Sequence, residues 1–224
     1  MDSERRRYGW PRNRRTLAIT GAAVVVVVTL AAIGYLIFEP KISGSSTSRQ
    51  AASPTTPSPP SQVVVPIDLW NPDGVTVDLA DAVYVADSGH KRLLKLPAGI
   101  EPPVELPFGS LGDAHGLAVD RSDSVYVVDY DNAKVLKLPP GADTPTELPF
   151  VGLDHPYDVA VDGAGTVYVT DSGHNRVVAL TAGSATPVHL PFTGLFSPTD
   201  VAVDNDGAVY VIDFYNRMLK LPTA

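Results

Sequence analysis

Cysteine is absent from this chain of 224 residues, and positive charge is scarce in most of it. Without cysteine there can be no disulfide, no thiolate nucleophile, no cysteine-based zinc site and no lipobox. Residues 61–224 hold nine Lys and Arg against 22 Asp and Glu, a balance of −13. Such an acidic region repels a phosphate backbone, so nucleic acid is not an expected partner.

The N-terminal region has the opposite charge and leads into a long apolar run. Residues 1–15 contain six arginines, and Thr16 to Phe38 carries no charge. At about 1.5 Å per helical residue that run spans roughly 34 Å, enough for a hydrocarbon core of about 30 Å. The charge bias predicts a basic cytoplasmic tail over 1–15, a transmembrane helix over 16–38, and an extracytoplasmic remainder. A cleaved signal peptide is the alternative, but its apolar region would be shorter and would end at a small-x-small site.

Residues 39–62 form a segment rich in Pro, Ser and Thr, with almost no bulky apolar side chain. Such a composition cannot build a core and predicts an extended, solvated linker. We therefore expect a single-pass protein of the cell membrane whose C-terminal domain stands off the bilayer.

A repeat of 42 residues organises the rest of the chain. The spacing holds for three landmark sets: Asp78, Asp120, Asp162 and Asp204; Tyr84, Tyr126, Tyr168 and Tyr210; and Asp87, Asp129, Asp171 and Asp213. Each unit contains four short apolar runs separated by turn residues, which predicts four strands. Four strands in about 40–50 residues, repeated, are typical of propeller blades. The fold prediction is an all-β propeller over 63–224, with blades at about 68–108, 109–150, 151–192 and 193–224.

The units resemble NHL repeats, and the resemblance rests on specific residues. Val83 to Asp87 reads VYVAD, and Asn175-Arg176-Val177 and Asn216-Arg217 match the third strand of that pattern. With the basic tail, the apolar run and the linker, the chain resembles the sensor half of actinobacterial receptor Ser/Thr kinases of the PknD kind. The resemblance implies a membrane-anchored sensor or binding module for a protein, glycan or cell-wall ligand. The sequence shows no Gly-rich loop, HRD or DFG motif, so any kinase would be a separate partner.

Closure of the propeller has two solutions. Residues 63–67 resemble the fourth strand of a blade, whereas the fourth repeat ends after its third strand. The spare strand favours a latched ring of four blades. NHL propellers usually have six blades, however, and four units with that spacing would leave an open arc, completed by a second chain in a homo-oligomeric scaffold.

The candidate binding residues lie in loops that vary on this constant frame. The positions just before each first strand differ in chemistry, and so do the loops after each second strand. The first set is Asp73, His115, Tyr157 and Thr199, and the second comprises His90, Tyr130, His174, Phe214 and Tyr215. We expect these residues to form a ligand-binding face; ordinary loop variation is the alternative.

Repeated aspartates receive a structural interpretation instead. Asp87, Asp129, Asp171 and Asp213 end their strands, where a carboxylate accepts backbone N–H groups in an Asx-type turn. Asp204-Asn205-Asp206-Gly207 resembles the start of a calcium loop, but it lacks the later ligands, which favours a hairpin turn.

An enzyme is the remaining alternative. A metal-dependent propeller lyase or lactonase needs several ligands at the axis, and only His115 with Asp73, Asp158 and Asp200 could approach it. We predict no catalytic residue, no metal and no cofactor.

Overall fold

The computed structural model describes residues 62–98 and 102–223, and all of the described secondary structure apart from two short turns is β. The predicted cytoplasmic tail, the transmembrane helix over 16–38 and all of the linker but its last residue lie outside the described residues. Within the described part, no helix is long and apolar enough to cross a membrane.

Fifteen strands form four sheets, one for each repeat. The first blade comprises β1 (Pro72–Val77), β2 (Val83–Asp87), β3 (Arg92–Leu96) and β4 (Val104–Glu105). The second comprises β5 (Ala114–Val119), β6 (Val125–Asp129), β7 (Lys134–Leu138) and β8 (Thr146–Glu147). The third comprises β9 (Pro156–Val161), β10 (Val167–Asp171), β11 (Arg176–Leu180) and β12 (Val188–His189). The fourth comprises β13 (Pro198–Val203), β14 (Val209–Asp213) and β15 (Arg217–Leu221).

Each sheet is antiparallel and follows chain order. The first strands β1, β5, β9 and β13 contact one another in sequence and lie at the axis. The pairing of β1 with β2 shifts register between Pro72 and Val75, and the other three blades shift near the same place. These irregularities lie next to the variable positions predicted before each first strand. A bulge redirects the side chains of a strand, so it can turn these residues towards the axis. The four-bladed propeller architecture is confirmed.

An Asp–Tyr clamp closes the hairpin between the first two strands of every blade. Asp78 accepts the N–H groups of Ala80 and Ala82 at 2.9 Å and the Tyr84 hydroxyl at 2.9 Å. Burial disfavours the charged carboxylate, but these hydrogen bonds outweigh it and hold the pKa of Asp78 below its usual value. The same three contacts are made by Asp120, Asp162 and Asp204. The predicted hairpin turn at Asp204 is thus confirmed.

The aspartates that end the second strands do more than the predicted local turn. Asp87 accepts the N–H of Trp70 at 2.7 Å, 17 residues earlier, and Nε of Arg92 at 2.9 Å. Asp129, Asp171 and Asp213 accept an N–H over the same separation. Each carboxylate therefore ties the loop that enters a blade to the hairpin between its second and third strands. The predicted acceptance of backbone N–H groups thus includes a local turn, as from Tyr215 to Asp213 at 3.1 Å, together with the longer-range bond from the entering loop.

Apolar side chains fill the space between consecutive blades in three clusters. We call the side of a blade that faces the next repeat its trailing face, and the opposite side its leading face. At the first junction, Tyr84 and Leu93 on the trailing face pack against Leu117 and Val127 on the leading face of the second blade. Every interior junction is therefore a dry contact between two sheets.

The two ends of the propeller lack such a contact, and the predicted latch is wrong. In the described chain, residues 63–67 form no strand, and the fourth sheet has three strands. Val63 and Val64 are exposed. A closed ring of four would need about 90° between neighbouring blades, by symmetry. Val75 on the first blade and Met218 on the fourth are 69% and 72% exposed, so the four described blades form an open arc.

Candidate functional site

The axial strands line a groove of about 540 Å³, which we call the axial groove. Its walls are the first strands of all four blades, so every repeat contributes to it. The polar side chains of the groove are Asp73, Thr76, His115, Tyr157, Asp158, Thr199 and Asp200. Among the described residues, no Lys or Arg lines it. The groove therefore combines aromatic faces with an excess of carboxylates.

Asp158 occupies the most constrained position in the groove. Its Oδ2 accepts the N–H of Val201 at 2.9 Å, and its own N–H donates to Oγ1 of Thr170 at 2.8 Å. Only glycine fits at position 116, because a Cβ there would lie 2.0 Å from Oδ1 of Asp158. Burial raises the pKa of Asp158 to about 7, against the effect of its backbone hydrogen bonds and with a smaller contribution from the charge of Asp200. Asp158 can therefore exchange a proton near neutral pH.

His115 lies at the centre of an aromatic group beside Asp158. Its ring packs 4.6 Å from Tyr130 and 4.4 Å from Tyr157, measured between ring centroids, and its Nδ1 lies in contact with Oδ2 of Asp73. Tyr130 packs in turn on His155, with ring centroids 5.0 Å apart. Burial, and then the nearby Asp73, raise the pKa of Tyr157 above its usual value, so its hydroxyl stays protonated and can donate.

The predicted site residues separate into three groups. Asp73, His115, Tyr157 and Thr199 line the axial groove, and Tyr130 packs on His115. A second group lies on the fourth blade, where Phe214 and Tyr215 contact Phe196 at centroid distances of 6.1 and 4.6 Å. The remaining two, His90 and His174, bond through Nδ1 to the strand-ending Asp87 and Asp171. The structure therefore brings five of the nine together.

Sequence reasoning undervalued the position one residue after this variable set. That position is Gly74, Gly116, Asp158 and Asp200 in successive blades. The sequence signal for this site was the change from glycine in the first two blades to aspartate in the last two, at a position whose flanking residues repeat. This change indicates that the carboxylate of Asp158 occupies the space beside Gly116, where a Cβ would otherwise lie.

Metal binding finds no support in the described geometry. Over 62–98 and 102–223, no group of three or more His, Asp or Glu side chains is arranged to hold an ion.

Sequence comparison links these repeats to known proteins. The model of the NHL repeat matches residues 153–180. Residues 153–180, which lie in the third blade, are therefore an NHL repeat. It is also 46% identical, over 101 residues, to the serine/threonine-protein kinase PknD of Mycobacterium tuberculosis. That match covers 44% of this chain and 14% of the kinase, so it concerns a small part of the kinase's length. The resemblance to PknD-type kinases is confirmed over this segment.

Solved structures share the fold at low sequence identity. A nidogen/laminin complex has a TM-score of 0.62 at 19% identity, covering 69% of this chain and 60% of that chain. A streptogramin B lyase has a TM-score of 0.57 at 18% identity, covering 71% and 57%. Virginiamycin B lyase from Staphylococcus aureus has a TM-score of 0.54 at 14% identity, covering 68% and 55%. Similarity at this level shows the fold alone.

Proposed function

We propose that this chain is a membrane-tethered, extracytoplasmic binding module that takes part of its ligand into the axial groove. The observation that carries the proposal is the convergence of varied polar and aromatic side chains on a constant repeat frame. Asp73, His115, Tyr157 and Thr199 occupy one repeat position, yet each offers different chemistry to the same groove. Recognition residues held on a rigid scaffold have this arrangement.

The chemistry of the groove favours a ligand rich in hydrogen-bond donors. Three carboxylates and the Thr199 hydroxyl can accept bonds from hydroxyl or ammonium groups. The rings of His115 and Tyr157 offer flat apolar faces, on which a sugar ring or an aliphatic chain can pack. Carbohydrate and peptide fragments of a cell envelope carry both kinds of group.

The membrane setting is part of the same proposal. It rests on the uncharged run Thr16–Phe38 with its arginine-rich flank, and on the similarity to part of a receptor-type kinase. A membrane kinase is then a reasonable partner, which would receive the binding signal through the anchor.

A propeller enzyme of lyase or lactonase type is the second candidate. It is favoured by Asp158, whose pKa of about 7 suits proton transfer at neutral pH, and by His115 on the same groove wall. Metal analysis of the purified chain separates the candidates. A tightly held divalent ion in a one-to-one ratio would favour the enzyme, and its absence after purification without chelators would favour the binding module.

The binding proposal is tested by titrating the purified chain with soluble muropeptides and with glycan fragments of the envelope. We expect a saturable complex with at least one class. The double variant His115→Ala/Tyr157→Ala should weaken that complex by at least about tenfold, as loss of central aromatic contacts does at other interfaces. The matched control is Phe214→Ala/Tyr215→Ala, which removes two rings from the separate aromatic group on the fourth blade.

Circular dichroism must show that both variants retain the β fold. Equal losses for the two variants would contradict a role of the axial groove. Failure of the parent chain to bind any of these fragments would contradict the proposed ligand class.

A further inference from the structure

The two exposed ends of the arc are the two halves of one inter-blade junction. The trailing face of the fourth blade presents Tyr210, Ile212 and Met218, and the leading face of the first blade presents Val75 and Val77, whereas Val85 and Leu94 on that same face are buried within the chain. Met218 is 72% exposed, whereas Leu93, Val135 and Val177 at the same repeat position are 0% exposed. Val75 is 69% exposed, whereas Val159 is 3% exposed. The fourth blade therefore exposes core side chains over its trailing face, and the first blade exposes them at its axial strand β1.

The junction between the second and third blades shows how such faces fit together. There the trailing face is Tyr126, Val128 and Val135, and the leading face is Val159, Val167, Val169, Val178 and Leu180. Residue for residue, the two end faces repeat this set with an apolar side chain or tyrosine at every position, and Val75, Ile212 and Met218 are the members left exposed. A fourth blade can therefore pack on a first blade in the way that the second blade packs on the third.

The turns after the second strands show that blades alternate in type. The residue after the strand-ending aspartate is Ser88 and Ser172 in the first and third blades, but Tyr130 and Phe214 in the second and fourth. Both serines lie in short 3₁₀ turns and donate to a backbone carbonyl of the next blade. A fourth blade followed by a first blade would continue this alternation, since an aromatic type already precedes a serine type at the middle junction.

A free strand edge lies beside the exposed trailing face. In the first blade, Leu94 pairs with Glu105 and Lys95 with Val104, which places β4 at the outer edge. The turn after β4 is repeated before the first blade, because Ile67 donates to the carbonyl of Val65 as Phe108 does to that of Leu106, which aligns β4 with Val63 and Val64. These two valines are exposed and form no strand within the described chain. The corresponding partners on β15 are Leu219 and Lys220, at the edge of the three-stranded sheet. One copy thus holds the strand that the fourth blade of another copy can accept.

We propose that two copies of this chain associate head to tail into a ring of eight blades. The fourth blade of each copy packs on the first blade of the other, and residues 63–64 add a fourth strand to β15 of the partner copy. Eight blades lie within the range found for propellers. The two junctions are related by a twofold axis, so the assembly closes and does not grow into a filament. The proposal does not depend on the identity of the ligand, but the second copy would close the open side of the axial groove.

Sedimentation equilibrium of the full chain in density-matched detergent tests the assembly. The expected protein mass is twice the 23.7 kDa of one chain. Met218→Glu and Val75→Glu each place a charge on one end face, and each variant should sediment as a monomer. Both side chains are exposed within one copy, so neither change disturbs the fold of the monomer. The matched control is Val188→Glu, at an exposed valine on the outer strand β12, and it should remain a dimer.

A mixture of the two variants distinguishes this arrangement from others. Met218→Glu keeps an intact first blade, and Val75→Glu keeps an intact fourth blade, so an equimolar mixture regains one of the two junctions. We expect a one-to-one heterodimer that dissociates more readily than the parent.

Three results would overturn the proposal. A monomeric parent would show that the end faces are covered in another way. A Met218→Glu variant that stays dimeric would place the contact elsewhere, for example in the apolar N-terminal run. A Val75→Glu variant that stays dimeric beside a monomeric Met218→Glu variant would indicate two fourth blades packed face to face.

Discussion

The interior junctions and the two ends of the arc use the same residue types in opposite environments. At the first junction Leu93 is buried between two sheets, and at the end of the arc Met218 occupies the same position in open solvent. Position 158 and position 200 are both aspartate, but the first is enclosed by neighbouring blades and the second is exposed. At these two positions burial is therefore set by whether a neighbouring blade is present and not by the residue itself.

The largest expected difference lies in the apolar packing. Leu93→Ala should lower the free energy of unfolding by about 2–5 kcal/mol, because it leaves a cavity in a closed core. Met218→Ala should change it by less than about 0.5 kcal/mol in dilute solution, because the side chain is exposed there. Urea unfolding followed by tryptophan fluorescence measures both.

The protein concentration should affect the two variants Met218→Ala and Leu93→Ala differently. If two copies join, Met218→Ala should become destabilising as the protein concentration rises, whereas the effect of Leu93→Ala should stay constant. A large effect of Met218→Ala in dilute monomer would mean that the fourth blade is covered within one copy.

The buried Asp158 predicts a dependence on pH with a definite sign. Its pKa in the folded state is about 7, above the ordinary 3.8, so the folded state binds the proton more tightly than the unfolded state. Ionisation therefore costs stability as the pH rises from about 4 to about 7, by up to about 1.4 kcal/mol per pH unit. Asp158→Asn should remove this loss and be more stable than the parent at pH 8.

Asp162 in the same blade provides the control. Burial works against its charge, but hydrogen bonds from Thr166 and Tyr168 outweigh it and lower its pKa. Asp162→Asn should therefore be less stable than the parent above about pH 4, with the difference shrinking in acid. Thermal unfolding between pH 4 and pH 8 checks both variants. If Asp158→Asn and Asp162→Asn both lower the stability at pH 8, the raised pKa assigned to Asp158 is refuted.

The smallest expected effect concerns the Asp–Tyr clamps. Tyr126→Phe removes a hydroxyl that donates to Asp120 at 2.9 Å within a junction, and should cost about 1–2 kcal/mol. Tyr210→Phe removes the same bond, 3.0 Å long, at the exposed end, where water can replace it. Its cost should be below about 1 kcal/mol. Equal costs in urea unfolding would mean that the clamp is insensitive to its surroundings.

The repeat made most of the fold predictable from sequence. The 42-residue spacing places each strand and each Asp–Tyr hairpin, because their contacts are local to one blade. Closure was not predictable in the same way. The latch depends on the angle between blades, which is the summed result of side-chain packing at three junctions, and the apolar character of Val63–Ile67 carries no information about that angle.

The axial groove was predictable in part. The variable positions Asp73, His115, Tyr157 and Thr199 converge because bulges at equivalent places turn them towards the axis. His90 and His174 looked equivalent to them as loop residues, yet they bond to strand-ending aspartates. The raised pKa of Asp158 depends on Gly116 in the neighbouring blade, a contact between residues that lie 42 positions apart.

The open arc also has a consequence for how the chain folds. The hydrogen bond from Val201 to Asp158 spans 43 residues, about one repeat, and the described packing clusters each join only consecutive blades. Without a strand that joins the first blade to the last, no contact of very high sequence separation has to form early. Folding can then begin in any pair of neighbouring blades and extend outwards, and the refolding rate should depend weakly on the number of repeats.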